Sequence, residues 1–124
     1  MSKFRISPHI SIYKFPITAI SSISNRIMGV SLSGCYVFGG TYCLLGNDPL
    51  KEIKKLNAFQ ENCLYYGTIF PIVFHTFGGI RHYLWDMFPE HLLKREMVAK
   101  SSWGLYGISV ILTYFMVEKY TRKQ

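Results

Sequence analysis

Charge is scarce in this 124-residue sequence: Asp, Glu, Lys and Arg make up 17% of it, and the stretches 27–45, 63–80 and 103–117 hold none at all. All 14 Lys and Arg and all seven Asp and Glu lie outside those stretches, an arrangement that argues against a soluble helical bundle, whose helices need polar faces in water. Paired cysteines are also missing. Cys35, Cys43 and Cys63 are odd in number, form no CxxC or CxxCH pattern and lie in or beside apolar runs. They read as packing residues, and their pattern argues against an iron–sulfur cluster or a covalently attached haem held by this chain alone. No long apolar core precedes Ile27, and prolines stand at positions 8 and 16, so the N-terminal region reads neither as a secretory signal nor as a transit peptide. No internal repeat or low-complexity tract is present.

What the chain does have is apolar length. It is 49% hydrophobic, and each charge-free stretch is near the length needed to cross the hydrocarbon core of a bilayer. The expectation is an all-α integral membrane protein with one domain, 1–124. It comprises an extended N-terminal segment at 1–17 and three transmembrane helices at about 18–45, 63–87 and 102–118 that form part of a helical bundle. The net charge of +7 is scattered in short clusters that flank the apolar runs, and Tyr42, Tyr65, Tyr66, Trp85, Trp103 and Tyr106 lie near the span boundaries. Such flanks anchor helices in membrane lipid; they are not the basic stripe of a nucleic-acid binder, and no nucleic-acid partner is expected. Pro8 and Pro16 make 7–17 an extended or turn-rich lead-in. Gly46, Asn47, Asp48 and Pro49 form a turn, 50–61 reads as a short amphipathic linker, and 87–101 as a charged connector. Pro71 is tolerated in a membrane helix. The side bearing the N-terminus and the second connector carries eight Lys and Arg against six, which places the N-terminus in the cytoplasm or a mitochondrial matrix.

Candidate chemistry gathers at one end of the second span. His75 lies in the body of that apolar run, about 9 Å of helix rise inside Arg81. An ionisable side chain at this depth is either a neutral packing histidine bonded to a neighbouring helix or a ligand for a metal or haem iron. His75, Gly79 and His82 fall at i, i+4 and i+7 and share a face, with Gly78 adjacent, so a large flat ring can lie against it. Arg81 and His82 stand near the level where propionates or a quinone head group reach water, and Asp86 can pair with a cation or relay protons; snorkelling and interfacial charge pairing are the plain alternatives. On the first helix Ser22 and Arg26, at i and i+4, aim a hydroxyl and a guanidinium the same way, a pair suited to a quinone or equally to a cap and an anchor. Gly29, Ser33, Gly34, Gly39 and Gly40 allow close approach of another backbone or a flat ligand.

Taken together these residues resemble the cytochrome b membrane-anchor subunit of succinate dehydrogenase, respiratory complex II. The string HTFGGIRHYLWD from His75 to Asp86 looks like that family's second-helix signature, and SPHISIY at 7–13 followed by SISNR at 22–26 looks like its first motif. The resemblance covers nearly the whole chain. It implies an anchor that, with a second small membrane-anchor subunit, holds the iron–sulfur and flavoprotein subunits at the membrane and passes electrons from succinate to ubiquinone, without an active site of its own for succinate oxidation. It further implies haem b with His75 as one axial ligand and the partner anchor supplying the other, Ser22 and Arg26 at the quinone site, and Arg26 and His82 near the haem propionates. The implied location is the mitochondrial inner membrane, with a bacterial cytoplasmic membrane as the alternative. A fumarate reductase anchor or a structural subunit of another respiratory complex is the alternative function. Three positions depart from the family pattern: Ile6 replaces a proline, Met28 a small hydroxyl residue, and Asn25 a histidine. Asparagine carries no positive charge, so any propionate contact there is weaker.

Overall fold

The computed structural model describes residues 14–121 together with Ile12. The SPHISIY motif apart from Ile12, and most of the expected lead-in at 1–17, lie outside the described residues. Residues 14–16 are non-helical, and Pro16 at φ −70° and ψ 153° delivers the chain into the first helix, α1 (Ile17–Leu44). That helix stops where the backbone turns left-handed. Gly46 has φ +81°, its N–H donates to the Cys43 carbonyl at 3.0 Å, and the Asn47 N–H reaches the Tyr42 carbonyl at 3.3 Å. This pairing satisfies the last carbonyls of the helix, and glycine adopts the required φ without a Cβ penalty.

A short helix α2 (Pro49–Ile53) follows, its N-terminus capped by the Asp48 carboxylate, which accepts from the Leu50 N–H at 3.0 Å. The long central helix α3 (Ala58–Met87) begins five residues before the charge-free run. The reason lies in its N-terminal chemistry: the Gln60 side chain reaches back to accept from the Asn57 N–H at 3.1 Å, half of a capping box that starts the helix in the polar linker. α3 continues through Pro71, then gives way at Phe88 to the single-turn α4 (Pro89–Leu92) and to α5 (Arg95–Thr121). The long helices of 28, 30 and 27 residues each exceed a 30 Å hydrocarbon core at 1.5 Å rise per residue. Of these, α1 and α3 are long and apolar enough to cross a membrane; α5 opens with charged turns before its charge-free 103–117.

The described residues hold no strand, and the three long helices pack with α3 in the middle, most extensively against α5. Side chains are partitioned the opposite way from a protein in water. The interior holds Ser21, Asn25, Arg81, Ser102, Ser109 and Thr113 beside Val73, Phe74, Leu105 and Val117, while Phe38 and Phe59 are each 79% exposed and Leu44 89%. Lipid tails are as apolar as Leu, so membrane helices gain by turning small and polar groups toward one another and large apolar ones outward. The exposed cysteines follow the same rule: Cys35, Cys43 and Cys63 do not pack inside this chain but lie on its outer apolar surface. Hydroxyls on that surface bond their own helix instead, as Ser33 to the Gly29 carbonyl at 3.0 Å and Thr41 to the Val37 carbonyl at 2.7 Å.

Candidate functional site

The three long helices converge at one end of the bundle, where the first turns of α1 and α5 meet the last turns of α3. Arg81 forms the hub. Its Nη1 donates to Ser102 Oγ at 2.9 Å and its Nη2 to Ser21 Oγ at 3.2 Å, while the two serine hydroxyls are 3.1 Å apart. Both hydroxyls also donate within their own helices, Ser21 to the Thr18 carbonyl at 3.0 Å and Ser102 to the Val98 carbonyl at 2.8 Å. The guanidinium carbon lies 4.5 Å from the centre of the Trp85 ring, one turn further along α3, and the His82 ring meets the same indole edge-on at 5.0 Å. A second bridge, Ser24 Oγ to Tyr106 Oη at 2.8 Å, joins α1 to α5, and Tyr106 stacks at 4.9 Å on the fully buried Phe74. Arg81 therefore points into the bundle. The sequence suggests a snorkelling or interfacial arginine there; serines on both flanking helices draw it inward instead.

On the outer side of the α1–α3 crossing the surroundings differ. His75 is exposed, and its Nδ1 lies 3.0 Å from the backbone carbonyl of Asn25. A carbonyl can only accept, so Nδ1 carries the proton and Nε2 keeps a free lone pair. That is the tautomer in which an imidazole ligates a metal, with the second nitrogen oriented by a carbonyl as metal-binding histidines usually are. The crossing is close because small residues line it. A Cβ on Gly29 would stand 2.7 Å from His75 Cε1, and one on Gly78 would collide with the Asn25 side chain. Gly79, in contrast, faces open space with nothing within 4 Å of a Cβ. His75, Gly79, His82 and Asp86 form an outward stripe along α3, and Asp86 has no ion-pair partner among the described residues.

On α1 the fixed point is Asn25. Its carbonyl touches His75; Ser22, half-buried, lies three residues before it and Arg26, exposed, one residue after it. The Asn25 side chain does not join them: it is buried over Gly78, facing the bundle interior, and its Oδ1 has no hydrogen-bond partner. Sequence reasoning missed the interior half of this arrangement: Ser21, Ser24, Ser102 and Tyr106. Small polar residues recurring along α5 at 102, 109 and 113 were the available signal, because polar groups inside a membrane helix turn toward other helices. The donor set fits a haem: one imidazole with a free Nε2, a flat glycine surface beside it, and cationic or protonatable side chains at the membrane face.

A family of proteins described as succinate dehydrogenase/fumarate reductase transmembrane subunits matches residues 2–116. The chain is 38% identical over 88 residues to the mitochondrial succinate dehydrogenase cytochrome b560 subunit of Sus scrofa, covering 66% of this chain and 52% of that one. It is 28% identical over 113 residues to the mitochondrial cytochrome b560 subunit of Dictyostelium discoideum, covering 88% and 59%. To the cytochrome b560 subunit of Porphyra purpurea it is 27% identical over 116 residues, covering 89% and 91%. The chain thus spans 52% of the Sus scrofa relative but nearly all of the Porphyra one.

Proposed function

Because the chain belongs to the succinate dehydrogenase/fumarate reductase transmembrane subunit family, we propose that it is a membrane-anchor subunit of a succinate dehydrogenase in the mitochondrial inner membrane. Its role is to hold the iron–sulfur and flavoprotein subunits at the bilayer together with a second small anchor, and to help bind haem b and ubiquinone. The observation that carries this reading is the His75 imidazole: exposed on an open face, oriented by the Asn25 carbonyl, with Nε2 free. His75 would hold the haem iron through Nε2, together with a ligand from the second anchor. When bound, the haem contributes one-electron redox chemistry at its iron.

The rest of the work falls to residues of this chain. Gly79 leaves room beside the imidazole, and Gly29 lets α1 approach it. His82 and Arg26, both exposed, would hold the propionates. Ser22 donates its hydroxyl to a quinone carbonyl oxygen, and the fixed charge of Arg26 favours the negative charge that the quinone ring gains as electrons arrive. Asp86 lies at the aqueous end of the same stripe, where it pairs with a cation or passes protons.

Absorbance spectra of the purified assembly test this. A b-type band that is present in the native protein and lost in His75→Ala, with the subunits still associated, is the expected result; a band unchanged in His75→Ala would sink the ligand assignment. Ser22→Ala and Arg26→Ala should each slow quinone reduction at least tenfold while leaving succinate oxidation by an artificial acceptor nearly intact. Equal loss of both activities would assign the defect to assembly.

A further inference from the structure

Arg81 is 8% exposed, and its charge has no ion-pair partner among the described residues. All seven carboxylate side chains lie among the described residues, at 48, 52, 61, 86, 90, 96 and 118. The ion pairs among described residues, Asp48 with Lys51, Glu52 with Lys55 and Glu96 with Lys100, all lie elsewhere. Glu118 is on α5 roughly 24 Å of helix rise beyond Ser102, toward the opposite end of the bundle. What surrounds the guanidinium is neutral: two serine hydroxyls, the face of Trp85, and no partner at all for Nε.

The distinction matters electrostatically. Hydroxyl dipoles stabilise a cation locally, but their potential falls off faster with distance than that of a charge, so they leave the field of the monopole largely intact beyond their own shell. A carboxylate would cancel it. Burying an arginine without one costs several kcal/mol, so a fold that retains it calls for a role that a neutral residue would not fill. Arg81 follows His75 by six residues, about 9 Å of rise on the same helix, and the medium between them is protein and lipid rather than salt water.

We propose that Arg81 is a fixed buried charge that raises the reduction potential of the haem held at His75; this rests on the haem reading above. A cation at about 12 Å, with an effective dielectric constant near 20, favours the electron-bearing state by about tenfold in the reduction equilibrium. Arg81 is turned into the bundle, away from the outward stripe of His75, Gly79 and His82, and acts as a tuning residue, while its serine contacts hold it in place.

Redox titration of the haem band in the purified assembly tests the assignment with four variants. Arg81→Gln removes the charge, and Ser102→Asp cancels it by setting a carboxylate against Nη1 while leaving the arginine in place. Both should lower the reduction equilibrium constant about tenfold, equivalent to about 59 mV for a one-electron couple. Arg81→Lys and Ser102→Ala keep the charge and should stay within a factor of three of the native protein. If Arg81→Gln fails to assemble, the comparison of Ser102→Asp with Ser102→Ala carries the test alone. A native assembly without a haem band overturns the haem reading and this inference with it. A band whose potential is unmoved in Ser102→Asp, or one that falls as far in Ser102→Ala, overturns the charge assignment and leaves the haem reading standing.

Discussion

Asn25 does two jobs with two different groups. Its backbone carbonyl fixes the His75 tautomer, and its side chain fills the space above Gly78, so the register of α1 on α3 and the readiness of the imidazole are set by one residue. Gly78→Ala should separate the two. The added methyl must displace the Asn25 amide, at a cost of about 1–3 kcal/mol for an overpacked crossing, and should lower the thermal midpoint of the assembly. Gly67→Ala on the same helix, whose methyl meets nothing within 4 Å in this chain, should not lower that midpoint, and equal midpoints for both would show that the crossing is not the tight point. The stripe of His75, Gly79, His82 and Asp86 was legible in the sequence because helical spacing alone decides which residues share a face. The orientation of Asn25 was not. The resemblance led to an expectation of a propionate contact there, but the aim of the side chain depends on how far α1 is rotated about its own axis, which spacing along α1 does not encode.

At the level of helices, charge-free runs located all three long elements, since only an apolar stretch is stable in hydrocarbon and only a helix satisfies its own backbone there. Their ends were set by different chemistry. α3 extends back to Ala58 through the Asn57–Gln60 contact, and α5 extends back to Arg95 through polar turns that hydropathy reads as connector. The stop of α1 was readable, because glycine after an apolar run followed by Asn-Asp-Pro signals a left-handed cap. Gly46→Ala forces a Cβ into φ +81° and should cost about 1 kcal/mol, seen as a lower denaturation midpoint of the assembly. No change would mean that the cap contributes nothing to stability.

Across the molecule, packing is lopsided. The Ser21–Asn25 end of α1 is buried among the other helices, but its later half presents Gly34, Gly39 and Gly40 to open space. Glycines that meet nothing in their own chain suit a second subunit approaching closely. Gly34→Leu and Gly39→Leu create no clash within the chain, so each should leave membrane insertion intact while reducing recovery of the second anchor several-fold; full recovery would assign that half to lipid. The hub at Arg81 bears on how such a chain is made. Its two serine partners sit on the first and last long helices, so a nascent chain halted after α3 carries a cation with only one of them in place. Entry of α5 brings Ser102 to the guanidinium, which couples integration of the last segment to retention of the middle one. A truncated product ending before Ser102 lacks the contact that ties α3 to α5.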